Sequence, residues 1–153
     1  MKLSSLINQR VQTYYWVEDL NCATTMLKIL SSIFSMELAD QVIDAATGMH
    51  GAGSYQAQCG LVEGTLMFIG IIGKRIGLTD EEIETYCYNF AYEFEQHFGS
   101  LVCRELRPEG FNPDNPPHLC EEITKQAVLF TAYYIIEKMK LSPAKQFVLY
   151  ERC

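Results

Sequence analysis

Leu78-Thr-Asp-Glu-Glu-Ile-Glu-Thr-Tyr-Cys-Tyr-Asn-Phe-Ala-Tyr-Glu-Phe-Glu-Gln-His-Phe-Gly99 decides the fold class. Thr79 and Glu82 have the spacing of a capping box, with Leu78 as the staple before it. Ile83, Tyr86, Cys87, Phe90, Ala91, Phe94 and Phe98 then recur at helical spacing along one face, and Gly99 stops the helix.

The same periodicity extends outward in both directions. Leu3, Leu6, Ile7, Val11, Tyr14 and Tyr15 form one stripe. Ala23, Met26, Leu27, Leu30, Ile33 and Phe34 form a second, with Asn21 as its N-cap. Ser35 predicts the cap of a shorter third helix that turns Leu38, Ala39, Val42, Ile43 and Ala46 inward and ends at Gly48. A glycine-rich loop, residues 48–53, leads to a helix starting at Tyr55 or Cys59 and running to Ile76. That helix is apolar on most sides, so it is expected at the centre.

Its Gly60, Gly64, Gly70 and Gly73 each cost roughly 0.5–1 kcal/mol relative to alanine. For Gly70 and Gly73, close helix packing is the plain reading and a ligand the alternative. Ser100 to Pro117 holds four prolines and no periodicity, which predicts a proline-rich loop. Asn115-Pro-Pro117 restarts a helix carrying Leu119, Ile123, Ala127, Phe130, Tyr134 and Ile135. The expected fold is an all-α, single-domain bundle of five or six helices over residues 1–153. Leu30, Ile69, Phe90, Phe94 and Phe130 belong to its core, and the tail 141–153 is of uncertain structure.

The 153 residues carry a net charge of −7 and no long basic run, which argues against a nucleic-acid partner. Met1 to Arg10 has neither an apolar core nor a small-residue cleavage site. The longest apolar run, Thr65 to Gly73, falls well short of the ~20 residues that span a bilayer. A soluble cytoplasmic protein is expected. In a reducing compartment its six cysteines suit catalysis, metal binding or core packing better than structural disulfides.

Cys22, Cys59 and Cys120 each fall at or near a helix start, where unpaired backbone N–H groups and the macrodipole favour a thiolate. Cys103 lies in the loop before Cys120, with Arg104 and Arg107 beside it to stabilise a thiolate or bind an anion. Cys59, after a glycine-rich turn and before Gly60, is the favoured nucleophile. Cys87 sits on the apolar face of its helix and reads as an inert core thiol; Cys153 is incidental. His50, His97 and His118 are candidate nitrogen ligands, although single histidines more often serve the surface or core.

Cys22 in Leu-Asn-Cys-Ala, the run Gln58-Cys-Gly-Leu-Val-Glu-Gly64, Cys103 in Cys-Arg-Glu-Leu, and Cys120 together resemble the redox-active protein family named for its C-GCAxxG-C-C cysteine pattern. The resemblance covers nearly the whole chain. It implies a helical domain of about this size whose redox chemistry is carried by four cysteines, here Cys22, Cys59, Cys103 and Cys120. It supplies no substrate.

Three functions compete. In the first, clustered cysteines carry thiol–disulfide electron transfer: Cys59 forms a mixed disulfide or sulfenic acid and a second cysteine resolves it. The redox partner would be a protein or a small-molecule thiol, and no cofactor is required. Successive members of the set stand 37, 44 and 17 positions apart, so any pair must meet through the fold. In the second, the four thiolates hold zinc or an iron–sulfur cluster, although zinc sites usually draw on close pairs of ligands. In the third, the cysteines only pack, within a helical interaction domain. Tyr14, Tyr15, Trp16, Tyr86, Tyr88 and Tyr92 would then serve a homo-oligomer interface. No Gly-x-Ser-x-Gly, His-Glu-x-x-His or Walker sequence is present.

Overall fold

The computed structural model describes residues 1–147. Its helices are α1 (Leu3–Trp16), α2 (Cys22–Ile33), α3 (Asp40–Ala45), α4 (Gly60–Arg75), α5 (Asp80–Phe98), α6 (Cys103–Leu106) and α7 (Glu121–Lys138). A 3-10 turn, Ala46–Gly48, extends α3. Among the described residues the fold is all-α, with seven helices rather than five or six, besides the irregular helical turn Gly51–Ser54. The added one is the short α6, in a segment whose prolines mask its single turn.

The local signals for α2 and α5 hold. Asn21 caps α2 by accepting from Thr24 N–H at 2.9 Å. The capping box of α5 closes with Thr79 N–H to Glu82 at 2.8 Å and Glu82 N–H to Thr79 at 3.2 Å, and Gly99 ends the helix at φ 90°. Two boundaries move. Ser35 takes a left-handed φ of 52° and caps nothing, so α3 starts only at Asp40. The last helix starts at Glu121 rather than at Asn115, because His118 also adopts a positive φ, of 59°.

Helices α2 and α4 form the centre; α1 and α7 pack on α2, α5 packs on α4, and α5 meets α7 through their aromatic rings. Leu30, Ile69, Phe90 and Phe94 are fully buried. Phe130 is not: it meets Phe90, Phe94 and Phe98 at ring distances of 5.6–6.1 Å but stays partly exposed, closing the edge of the aromatic cluster. Tyr14 and Tyr15 are buried, which removes them from any interface, whereas Trp16, Tyr88 and Tyr92 are exposed. The tail after α7 runs back over the bundle, Ala144 N–H donating to Ile33 O at 2.8 Å. Residues 148–153, including Cys153, lie outside the described residues. Among the described residues no helix is long and apolar enough to cross a membrane.

The α4 glycines divide into two kinds. A Cβ on Gly64 would lie 2.5 Å from Ala23 O, and one on Gly73 would lie 2.7 Å from Ile83 Cγ1, so these glycines let α2 and α5 approach. Gly70 has nothing within 4 Å of the same position and lines an open apolar groove of about 880 Å³. The groove exists because α3 buries none of its residues against α4. Gly64→Ala is therefore expected to destabilise by about 1–3 kcal/mol through overpacking. Gly70→Ala should instead stabilise by about 0.5–1 kcal/mol through helix propensity. Urea midpoints of the two variants check this; shifts of the same sign would refute the distinction.

Candidate functional site

The segment before α4 and the segment before α6 are stitched together, and this brings distant cysteines to one place. Gln58 and Val102 form an antiparallel bridge. On one side of it Cys59 N–H donates to Leu101 O at 2.8 Å; on the other, Cys103 N–H donates to Ala57 O at 2.6 Å. The loop itself is closed by Gly51 N–H to Gln58 O at 3.0 Å and Ala57 N–H to Gly51 O at 3.2 Å. Ala52, Ser54 and Gln56 all adopt positive φ within it. Left-handed geometry at non-glycine residues costs of order 1–3 kcal/mol each and concentrates at functional sites.

Two glycines hold sulfur atoms in place. A Cβ on Gly60 would stand 2.3 Å from Cys22 Sγ, so the Cys22 sulfur rests against the first turn of α4. Gly51 has the same relation to Cys103, its Cβ position being 3.3 Å from Cys103 Sγ. Asn21 fixes the start of α2 to this region by donating to Thr47 O at 3.1 Å.

Cys22, Cys103 and Cys120 line one cavity of about 190 Å³, together with Tyr15, His50, His118 and Arg107. Cys59 lies behind the wall, 6% exposed, close enough to interact electrostatically with the other three. The structure thus brings all four cysteines together. Cys87 stays apart on α5, where Glu84 is the charge that acts on it; it is partly exposed rather than buried. All five described cysteines are thiols.

Burial dominates the electrostatics of the cluster. Cys59 does meet backbone N–H groups at the start of α4, from Leu61 and Val62, but desolvation outweighs them and its thiol is pushed up to about 12. The expectation of a readily ionised Cys59 is therefore corrected. Cys22 is raised further, by burial first and then by Cys59, Cys120 and Cys103. Burial also raises Cys103 and Cys120, but there the Arg107 guanidinium opposes it. Each thiolate disfavours the next, so the set ionises one member at a time.

This has a consequence for stability. A buried thiol that keeps its proton where the unfolded chain has lost it stabilises the fold below the unfolded pKa, ~8.5. That contribution falls as pH rises toward about 12, by up to roughly 1.4 kcal/mol per pH unit per thiol. The urea midpoint of the reduced protein should drop more between pH 8 and pH 10 than that of Cys59→Ala. Parallel curves would contradict it.

Tyr15 and two of the candidate ligand histidines, His50 and His118, complete the site. Tyr15 hydroxyl bonds Thr124 at 2.6 Å, and its pKa is raised by burial and by Cys22. His118 stacks on the Tyr15 ring at 4.8 Å and bonds Asp19 through Nε2 at 2.9 Å. Both members of this hydrogen-bonded pair have positive φ. His50 pairs with Ser54 at 3.4 Å. His97 lies elsewhere, stacked on Phe130 at 5.0 Å. Among the described residues no three His, Cys, Asp or Glu side chains stand close enough together to hold a metal ion.

Helical packing and a cavity lined by three thiols, with Cys59 behind its wall, define a thiol-bearing α-helical protein. Residues 20–134 match the family model described as "Putative redox-active protein (C_GCAxxG_C_C)", and the chain belongs to that family. Read letter by letter around Cys59, the chain has Gln58, Gly60 and Glu63 where the name has Gly, Ala and Gly. Comparison with curated proteins gave no match, and neither did comparison with solved structures.

Proposed function

We propose that the protein is a thiol–disulfide electron carrier whose working set is Cys22, Cys59, Cys103 and Cys120. The observation that carries this reading is the convergence of those four thiols from four separate chain segments, with Cys87 left out. Cys103, partly exposed and facing Arg107, is the entry thiol in place of Cys59. Its thiolate attacks a substrate disulfide, breaking that S–S bond and releasing one thiolate, which takes up a proton. A second cysteine of the set then attacks Cys103 Sγ and expels the other half of the substrate. The substrate gains two electrons and two protons, and the protein keeps an internal disulfide. Cys59 and Cys22, protonated until the mixed disulfide forms, serve as resolving thiols. The redox domain spans the whole chain.

Anaerobic purification followed by a UV–visible spectrum, metal analysis and a thiol count before and after reduction tests the proposal. A colourless, metal-free protein that gains two or four thiols on reduction supports it. Colour with stoichiometric iron, or tightly bound zinc, would replace it with the metal-site reading.

A further inference from the structure

Arg107 is a cation without an acid. Among the described residues none of the ion pairs includes it, although the chain carries 19 acidic residues against 12 basic ones. The guanidinium is fixed in place: Nε donates to Gly110 O at 3.0 Å and the group lies 4.7 Å from the centre of the Phe111 ring. Asn115 Nδ2 donates to the same Gly110 carbonyl at 3.2 Å, which anchors the turn. With Nε engaged, the terminal nitrogens remain for the cavity, where the positive charge also acts on Cys120. In the reduced, protonated protein both neighbouring thiols are neutral, so the positive charge has no counter-charge. A planar guanidinium in this position suits a carboxylate held by two parallel hydrogen bonds.

Size and spacing narrow the ligand. The cavity, about 190 Å³, falls below the roughly 300–1,000 Å³ that drug-sized ligands occupy. Arg107 follows the last residue of α6 and its N–H donates to Cys103 O at 3.0 Å, so the two residues stand one turn apart and line the same cavity. An anion docked on Arg107 therefore shares this small cavity with the Cys103 sulfur, which leaves room only for a short ligand.

We propose that the oxidant of this site is a small disulfide bearing a carboxylate next to its sulfur, the carboxylate docking on Arg107 and the near sulfur meeting Cys103. This rests on the thiol–disulfide reading above. The Cys103 thiolate takes the near sulfur, the far half leaves as a thiol after gaining a proton, and a second cysteine of the four displaces the near half. Two small thiols are produced for each internal disulfide formed.

The test compares three disulfides of similar length on the reduced full chain: dithiodiglycolate, bis(2-hydroxyethyl) disulfide and cystamine, which are anionic, neutral and cationic. The rate of internal disulfide formation with each is divided by that reagent's rate with mercaptoethanol, at constant ionic strength. Dithiodiglycolate should exceed the neutral reagent by about tenfold or more. Arg107→Gln should abolish the preference and Arg107→Lys retain part of it. If Arg107 acted only on thiolate formation, Arg107→Gln would slow all three reagents and leave their ratio unchanged, which would overturn the docking proposal. Equal normalised rates in the wild type, or faster oxidation by the disulfides of insulin, would overturn it as well. Failure of every disulfide to generate an internal disulfide would instead remove the thiol–disulfide reading on which it rests.

Discussion

Phe94→Ala should lower the unfolding free energy by about 3–5 kcal/mol. Phe94 is fully buried and its ring meets Phe98 at 4.4 Å, Phe90 at 5.7 Å and Phe130 at 6.1 Å. Truncation removes the apolar transfer term and leaves a cavity. The rings around it are held by α5 and α7, which limits collapse into the gap. Urea unfolding of the reduced protein measures the loss. A change below about 1 kcal/mol would mean that the aromatic cluster between α5 and α7 does not hold these helices together.

The second large effect falls on chemistry. Cys103→Ser should slow internal disulfide formation by about a hundredfold or more, equivalent to about 2.7 kcal/mol of barrier. A serine hydroxyl is a far weaker acid and nucleophile than the Cys103 thiol, and it forms no disulfide. Cys87→Ser should leave the rate unchanged, because that thiol belongs to a different face of the bundle. Stopped-flow oxidation with quantification of remaining thiols reads both variants. Equal slowing by the two substitutions would point to a general packing role for cysteine here.

Local signals were legible in the sequence because their causes are local. Thr79 with Glu82, Gly99, and Asn21 before α2 are short-range hydrogen-bonding and φ requirements, and each is where the residue pattern places it. The positive φ of Ser35 and of His118 carries no such pattern, so the starts of α3 and α7 shifted. The four cysteines were readable as a set, but their meeting depends on the Gln58–Val102 bridge, a contact with no periodic trace.

Cys59 shows how a correct local inference can lose to tertiary structure. The N–H donors expected at the start of α4 are present, yet burial outweighs them. Arg107 was visible as a charge beside Cys103. Its lack of an acidic partner, and the arrival of Tyr15 and His118 from elsewhere in the chain, emerge only from the folded structure.

The most direct measurement is disulfide mapping. The reduced, metal-free protein is oxidised with one equivalent of a small disulfide, quenched by alkylation, digested and read by mass spectrometry. The predicted result is an intramolecular bond joining two of Cys22, Cys59, Cys103 and Cys120, with Cys103 in the first mixed disulfide trapped and Cys87 alkylated throughout. A first adduct on Cys87, or oxidation that yields only disulfides between chains, would contradict a redox cycle within this set of four thiols.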